Sequence, residues 1–410
     1  MLHIYNEKEK KTLGQFFSYL RLNKDVATID IYKNICSKKV YYEIEKGIPK
    51  KNDEYYDQIL QCLNLNFYPI DPLSEWLNSY LPLLYHACEY MNQEEIQDLY
   101  TDYLQFFKDR KQYFVYEQYD QIFNYLFRYY KDSTYLNSEE IKDVFHLLPI
   151  IEEQLQILLI EVVSLSNWNY VGDYKLFDEI FKWCEKYKEN VIVMYYRASF
   201  CELKLQYIKA LNMYEEIEKQ SKDNPYRLIR ALSGKFSIYK DIDNDKAEET
   251  IPLLLNASND KSLPNRTKKA LYYNIGMFYY LHKQYDQAKD YFRMSIKIKK
   301  DYANLLMLSS SCSEIGDELP DELDDFEGDM IRYVYVDYFK IKKQKTNEKE
   351  LESFIMRKVM KDLKKECFTE PAWNMFEREL ARLNKITRNY ALLNEYQHLK
   401  NKYCKDSYEV

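Results

Sequence analysis

The sequence predicts an all-α protein: a head of short helices, then a long array of helix pairs, then a helical tail. Three observations carry this reading. Only 7 Gly and 10 Pro occur in 410 residues, too few for the turns of an all-β fold or the phosphate-binding loops of a nucleotide-binding sheet. Apolar residues recur at i, i+3, i+4 and i+7 in nearly every segment, the period of a half-buried helix. Beyond the head nearly everything reads as helix in pieces of about 12–18 residues.

The head comes first. Leu13, Phe16, Phe17 and Leu20 form one helical stripe, ended by Asn23-Lys24-Asp25. A second short helix is expected from about Thr28 to Ile35. Ser37 stands where an N-cap belongs, and a third helix reaches about Glu45, with Gly47 at the C′ position. Tyr55, Tyr56, Ile59, Leu60 and Leu63 make another stripe. The expected boundaries are a head over 1–66, a linker over 67–72 with Pro69 and Pro72, a helical array over 73–317, and an acidic loop with capping or dimerising helices over 318–410.

In the array the clearest unit is "ALYYNIGMFYYLHKQYDQAKDYFRMSIKI", Ala270 to Ile298. Tyr272, Ile275, Gly276 and Tyr279, then Tyr285, Ala288, Phe292 and Ser295, resemble the two helices of a tetratricopeptide repeat. Gly276 and Ala288 are small, which lets two helices approach while aromatics fill the gaps. Lys300 stands where that repeat usually has Pro. Weaker copies share the spacing: Tyr207, Ala210 and Tyr214 in "YIKALNMYEEI", Tyr174 one repeat earlier, and "DKAEETIPLLL" around Ala247. "QYDQ" occurs at 118–121 and again at 284–287. The resemblance implies a degenerate tetratricopeptide solenoid.

After "ELPDELDDFEGD", read as a solvated loop, stripes resume at 330–341, 351–363 and 373–403. "RYVYVDYF" alternates like a strand but is read as helix. The end of a repeat array needs its open edge covered, so these segments are expected to cap the array or pair with a second copy.

Composition narrows the function. No apolar run approaches the ~20 residues of a membrane helix, and the N-terminus lacks a secretory core, so a cytoplasmic protein with no membrane partner is expected. The eight cysteines (Cys36, Cys62, Cys88, Cys184, Cys201, Cys312, Cys367 and Cys404) are scattered, and the five histidines are isolated. No metal spacing, cofactor motif or nucleophile–base set can be named, so the reading is not an enzyme, with no metal and no cofactor. The 43 tyrosines are read as compositional bias rather than a base-stacking surface. The net charge of −7 is uneven: residues 1–66 carry 11 Lys and Arg against 9 Asp and Glu, a mildly basic head on an acidic body.

Ala27 to Gly47, "ATIDIYKNICSKKVYYEIEKG", resembles the helix-turn-helix of the lambda-repressor-like family, with Ile31, Ile35, Ser37, Ile44, Glu45 and Gly47 matching. There the third helix enters the major groove of DNA. The resemblance implies that Thr28, Ser37, Lys38, Lys39 and Tyr42 face double-stranded DNA. Two positions depart from the pattern: Tyr32 replaces a small residue where helices meet, and Glu43 replaces a residue that is often basic.

The order of parts resembles the peptide-pheromone-responsive transcription regulators of Gram-positive bacteria (the RRNPP group, including the Rgg- and PlcR-type proteins). That resemblance implies a homodimer whose DNA binding is controlled by a short signalling peptide, as in quorum sensing. The first helix of each repeat would line the peptide groove. This places Tyr273, Asn274, Met277 and Tyr280 inward in the best unit. An earlier unit would offer Tyr196, Ser199 and Glu202, with Arg227 and Arg230 for a peptide carboxylate. The alternative is an adaptor or response-regulator modulator that never touches DNA.

Overall fold

The computed structural model describes residues 3–324, 334–344, 347–360 and 370–403. Among them every regular element is helical. The chain divides into two compact units, 1–263 and 264–410.

The first unit holds α1 (Glu7–Asn23), α2 (Thr28–Tyr32), α3 (Lys38–Glu45), α4 (Glu54–Cys62), α5 (Asp71–Tyr90), α6 (Gln93–Phe107) and α7 (Phe114–Tyr130). It continues through α8 (Ser138–Leu147), α9 (Glu153–Ser166), α10 (Tyr174–Lys186), α11 (Val191–Leu203), α12 (Tyr207–Gln220), α13 (Pro225–Ile242) and α14 (Asn244–Ser258). Short polar side chains start many of these helices. Asn6 accepts the amide of Glu9 at 2.8 Å while the Glu9 carboxylate accepts that of Asn6 at 3.0 Å, a reciprocal cap. Asn137 and Glu140 repeat the device on α8. The second predicted helix stops at Tyr32 and continues only as turns to Ile35.

Head and body share one core. Phe16 and Phe17 of α1 are fully buried, and the Phe17 ring stacks on Phe114 of α7 at 5.9 Å. The residues between α4 and α5 are fastened too. The Asn66 carbonyl accepts the Phe114 amide at 2.8 Å, and the Pro69 carbonyl accepts the Tyr116 hydroxyl at 2.8 Å. Pro72 lies in the first turn of α5, where its missing N–H costs nothing.

Helices α11 to α14 alternate in hairpins. Ala210 of α12 and Ala247 of α14 each sit three residues into their helix and are fully buried. The tip of the Tyr214 ring sits against Gly234 of α13: a Cβ there would come within 2.2 Å of the ring. The first "QYDQ" lies inside α7, whereas the second opens a helix. The two copies are therefore not equivalent in position.

The second unit holds α15 (Asn265–Leu281), α16 (Tyr285–Ile298), α17 (Tyr302–Ile315), α18 (Val334–Lys343), α19 (Glu348–Phe354), α20 (Glu370–Thr387) and α21 (Tyr390–Tyr403). Helices α15 and α16 form the expected close hairpin. A Cβ on Gly276 would lie 2.8 Å from the Phe292 ring, and Ala288 and Phe292 are fully buried. Ser295 donates to the Lys269 carbonyl at 2.9 Å. From Val334 onward the strand-like alternation is α18, while residues 332 and 333 lie outside the described residues. The single stripe expected over 373–403 is two helices, broken where Arg388 turns to φ +59°. Of the acidic segment, residues 325–329 lie outside the described residues, and Asp321–Leu323 form one tight helical turn. Glu379 organises the polar interior of this unit, accepting from Tyr338 Oη at 2.6 Å, Ser313 Oγ at 2.8 Å and Lys342 Nζ at 2.7 Å.

Candidate functional site

Helix α3 has two faces. Tyr41, Ile44 and Glu45 point inward and are buried. Backbone meets backbone where α3 crosses α1: a Cβ on Gly14 would fall 1.9 Å from the Ile44 carbonyl oxygen. Arg21 of α1 donates from Nε to Glu45 Oε1 at 2.5 Å. This pair fixes the rotation of α3 about its axis. Gly47 leaves the helix at φ +72°, with its amide on the Ile44 carbonyl at 2.8 Å and that of Ile48 on Glu43 at 2.9 Å, closing the end as expected for glycine at this position.

The outer face carries Lys38, Lys39, Tyr42 and Lys46, all exposed. Lys38 Nζ lies 5.8 Å from the Tyr42 ring centroid. Ser37 caps the helix, its hydroxyl accepting from the Val40 amide at 3.3 Å. Thr28 is half-buried at the start of α2. The two departures are absorbed locally. Glu43 is hydrogen-bonded to Lys50, and that bond holds its carboxyl below the usual range. Tyr32 is half-buried with its ring 6.0 Å from Tyr41. Lys33 and Lys51, not singled out in the sequence, are also exposed in the head.

The second unit contains a cavity of about 530 Å³ whose walls include Arg266, Lys269, Tyr273, Asn274, Asp301 and Asn304. Asn274 is exposed there and Tyr273 half-buried. Burial, then the nearby Asp301 charge, pushes the Tyr273 phenol up to about 12. Asp301 caps α17, accepting the amide of Asn304 at 3.0 Å and its Nδ2 at 2.9 Å, while Lys269 binds the other carboxylate oxygen. Asn304 is 1% exposed, and its Oδ1 has no hydrogen-bond partner. Sequence reading missed Asn304 because it sits one repeat away from the motif that drew attention to Asn274.

The remaining groove residues are placed differently from expectation. Tyr280 is 3% exposed and is tied to Ser310 Oγ at 2.5 Å and to Arg378. Met277 is half-buried and packs against the core of its unit. In the first unit Arg227 is buried and Arg230 nearly so. Both donate to Glu161, Arg227 at 2.8 Å and Arg230 at 2.7 Å. Tyr196 is buried and donates to the same carboxylate at 3.0 Å. Ser199 is spent on the Tyr195 carbonyl at 3.0 Å, and Glu202 accepts from Tyr214 at 3.1 Å. Arg227, Tyr196 and Ser199 are part of the interior, and the half-buried Arg230 and Glu202 are engaged by partners within the unit. Arginine is normally exposed, so nothing in the local pattern reveals a buried counter-charge more than sixty residues away.

Comparison with family models, curated proteins and solved structures returns no match. Among the described residues no helix is long and apolar enough to cross a membrane, and no group of three or more His, Cys, Asp or Glu is placed to hold a metal ion.

Proposed function

We propose that the chain is a transcription regulator: a lambda-repressor-like head that binds double-stranded DNA, joined to degenerate tetratricopeptide hairpins that bind a short peptide. The observation that carries this reading is the division of α3. Its inner face is locked by Gly14 and the Arg21–Glu45 pair, while Lys38, Lys39, Tyr42 and Lys46 stand outward. A short, rigidly held helix with ammonium groups at its exposed N-terminal end suits phosphates and guanine edges. The pairing of Glu43 with Lys50 offsets a charge that would repel the backbone.

Peptide binding is assigned to the cavity beside Asn274. A side-chain amide both donates and accepts, so it pairs with a peptide backbone whatever the sequence. Asn304 adds a second acceptor in the same wall. The reading implies a homodimer, whose two heads would address half-sites about 34 Å apart or a multiple of that. The alternative, a protein-binding adaptor, draws on the exposed Leu22 and Ile29 of the head.

The deciding experiment is a gel-shift titration of genomic fragments against salt. The double change Lys38→Glu, Lys39→Glu should abolish binding, and the parent protein should lose affinity steeply as salt rises. Binding that survives the charge reversal would discard this placement of the DNA-reading helix.

A further inference from the structure

One carboxylate of the body binds the head and the body at once. Asp143 of α8 divides its oxygens between the two sides. Its Oδ1 accepts from two groups of α1, the Tyr19 hydroxyl at 2.6 Å and the Asn23 side-chain amide. Its Oδ2 accepts from two groups of α7, the Tyr125 hydroxyl at 2.8 Å and Gln121 Nε2 at 2.5 Å. His146, one turn along α8, holds the Asn23 amide oxygen from Nδ1 at 2.8 Å. That oxygen can only accept, so Nδ1 carries the proton and Asn23 is oriented with its NH₂ toward Asp143. Burial, then the hydrogen bond to Asp143, raises the Tyr19 phenol, which keeps it a donor.

We propose that Asp143 is a positioning residue for the DNA-reading face, the joint through which the body sets the orientation of α3. The contacts run without a gap. Asp143 holds α1, and α1 holds α3 through Gly14 and Arg21. On the body side, α7 carries Tyr130, whose hydroxyl donates to Glu161 at 2.9 Å, and Glu161 binds Arg227 and Arg230 of α13. A change in the α11–α13 hairpins therefore reaches the head through packed helices, and the residues between α4 and α5 do not act as a slack hinge. The stacking of Phe17 on Phe114 gives the joint an apolar floor. Four donors on one carboxylate give it direction, since a charged acceptor makes the stronger hydrogen bonds.

This consequence rests on the DNA-binding reading, but the joint can be tested apart from it, by hydrogen exchange on the full-length protein. Asp143→Ala should speed exchange of the α1 amides and of residues 64–70 by about tenfold or more, leaving α9 and α13 at their parental rates. The milder pair Tyr19→Phe, Asn23→Ala should loosen the same segment. Adding it to Asp143→Ala should bring no further loosening, because both remove the same link. Asp143→Glu, which keeps the charge, should restore part of the protection. Unchanged α1 exchange in Asp143→Ala, or loosening spread equally over α9 and α13, would overturn the joint. If the Lys38, Lys39 reversal leaves duplex binding intact while the exchange pattern appears as expected, the joint stands and only the DNA reading falls.

Discussion

Glu161 and Arg227 meet in the interior of the first unit with two hydrogen bonds, at 2.9 and 2.8 Å, their side chains 0% and 1% exposed. Tyr130, Tyr196 and Arg230 complete the shell of the carboxylate. The Arg227 guanidinium has donors left over, and these satisfy the Glu89 and Cys88 carbonyls at the end of α5. One ion pair thus gathers α5, α7, α9, α11 and α13. Such a pair adds little over an apolar replacement of the same shape, but removing one member strands a charge in a medium that cannot solvate it.

Glu161→Leu should therefore cost about 3–5 kcal/mol in urea unfolding, because it strands both Arg227 and Arg230. Removing the cations with it, as Glu161→Leu with Arg227→Met and Arg230→Met, should cost clearly less than the single change. A triple variant as damaged as the single one would show that the stranded charges are not the source of the loss.

The same pair predicts acid sensitivity. Burial pushes the Glu161 carboxyl up, but Arg227 outweighs it by charge and hydrogen bonds, with Arg230 and Tyr130 adding to the pull. The net result is a fall to about 2. A carboxyl depressed in the folded state stabilises it above the unfolded value near 4.5, and that contribution is lost as pH falls toward 2. The loss is on the order of 3 kcal/mol. Stability followed by unfolding from pH 6 to pH 2 should fall in this window, and Glu161→Gln should flatten that part of the curve. An equally steep curve in the variant would assign the acid sensitivity to other carboxylates.

How far the sequence foretold this structure depends on the reach of each interaction. Ser37 as a cap, Gly47 as a helix end and the Gly276–Phe292 contact were all legible, because each is settled by residues a few turns apart. The break at Arg388 was not: the apolar stripe continues on both sides of a two-residue turn, in which Arg388 is left-handed and Asn389 accepts the Leu392 amide to start α21. The roles of Arg227, Arg230 and Tyr196 were misread for a different reason. Their partner Glu161 lies on another helix, and residue type alone does not tell a buried arginine from one waiting for a ligand. Asp143 was invisible in the same way, since its four donors come from two helices that only the fold brings together. In the head, the outward face of α3 was foreseen, whereas Gly14, which allows it, drew no notice.

Under the regulator reading, Asn274→Ala in the cavity of the second unit should weaken binding of a short peptide by about 1–3 kcal/mol, the cost of leaving a buried backbone amide unpaired. Asn304→Ala should weaken it too, and for the same ligand. Calorimetry on both variants separates a true wall from a chance exposure, because an unchanged affinity in each would move the peptide elsewhere.

The head offers the sharpest contrast. Gly14 and Gly47 both lie at the α1–α3 contact, yet for different reasons. A methyl group at Gly14 would meet the Ile44 carbonyl at 1.9 Å, which is backbone and cannot step aside. At Gly47 the nearest atoms are side-chain carbons of Gln15 and Lys11 at 3.1 Å, and the difficulty is the positive φ. Gly47→Ala should accordingly cost about 1–2 kcal/mol, the strain of a left-handed alanine. Gly14→Ala must drive α3 away from α1, at a cost of about 1–3 kcal/mol or more, and it also moves the Arg21–Glu45 pair out of register. Stability alone will not separate the two variants, but the angle of α3 will. Under the regulator reading, duplex affinity per folded molecule should fall in Gly14→Ala and hold in Gly47→Ala, measured by anisotropy under conditions where both are folded. Equal affinities would mean that the crossing of α1 and α3 does not set the reading face.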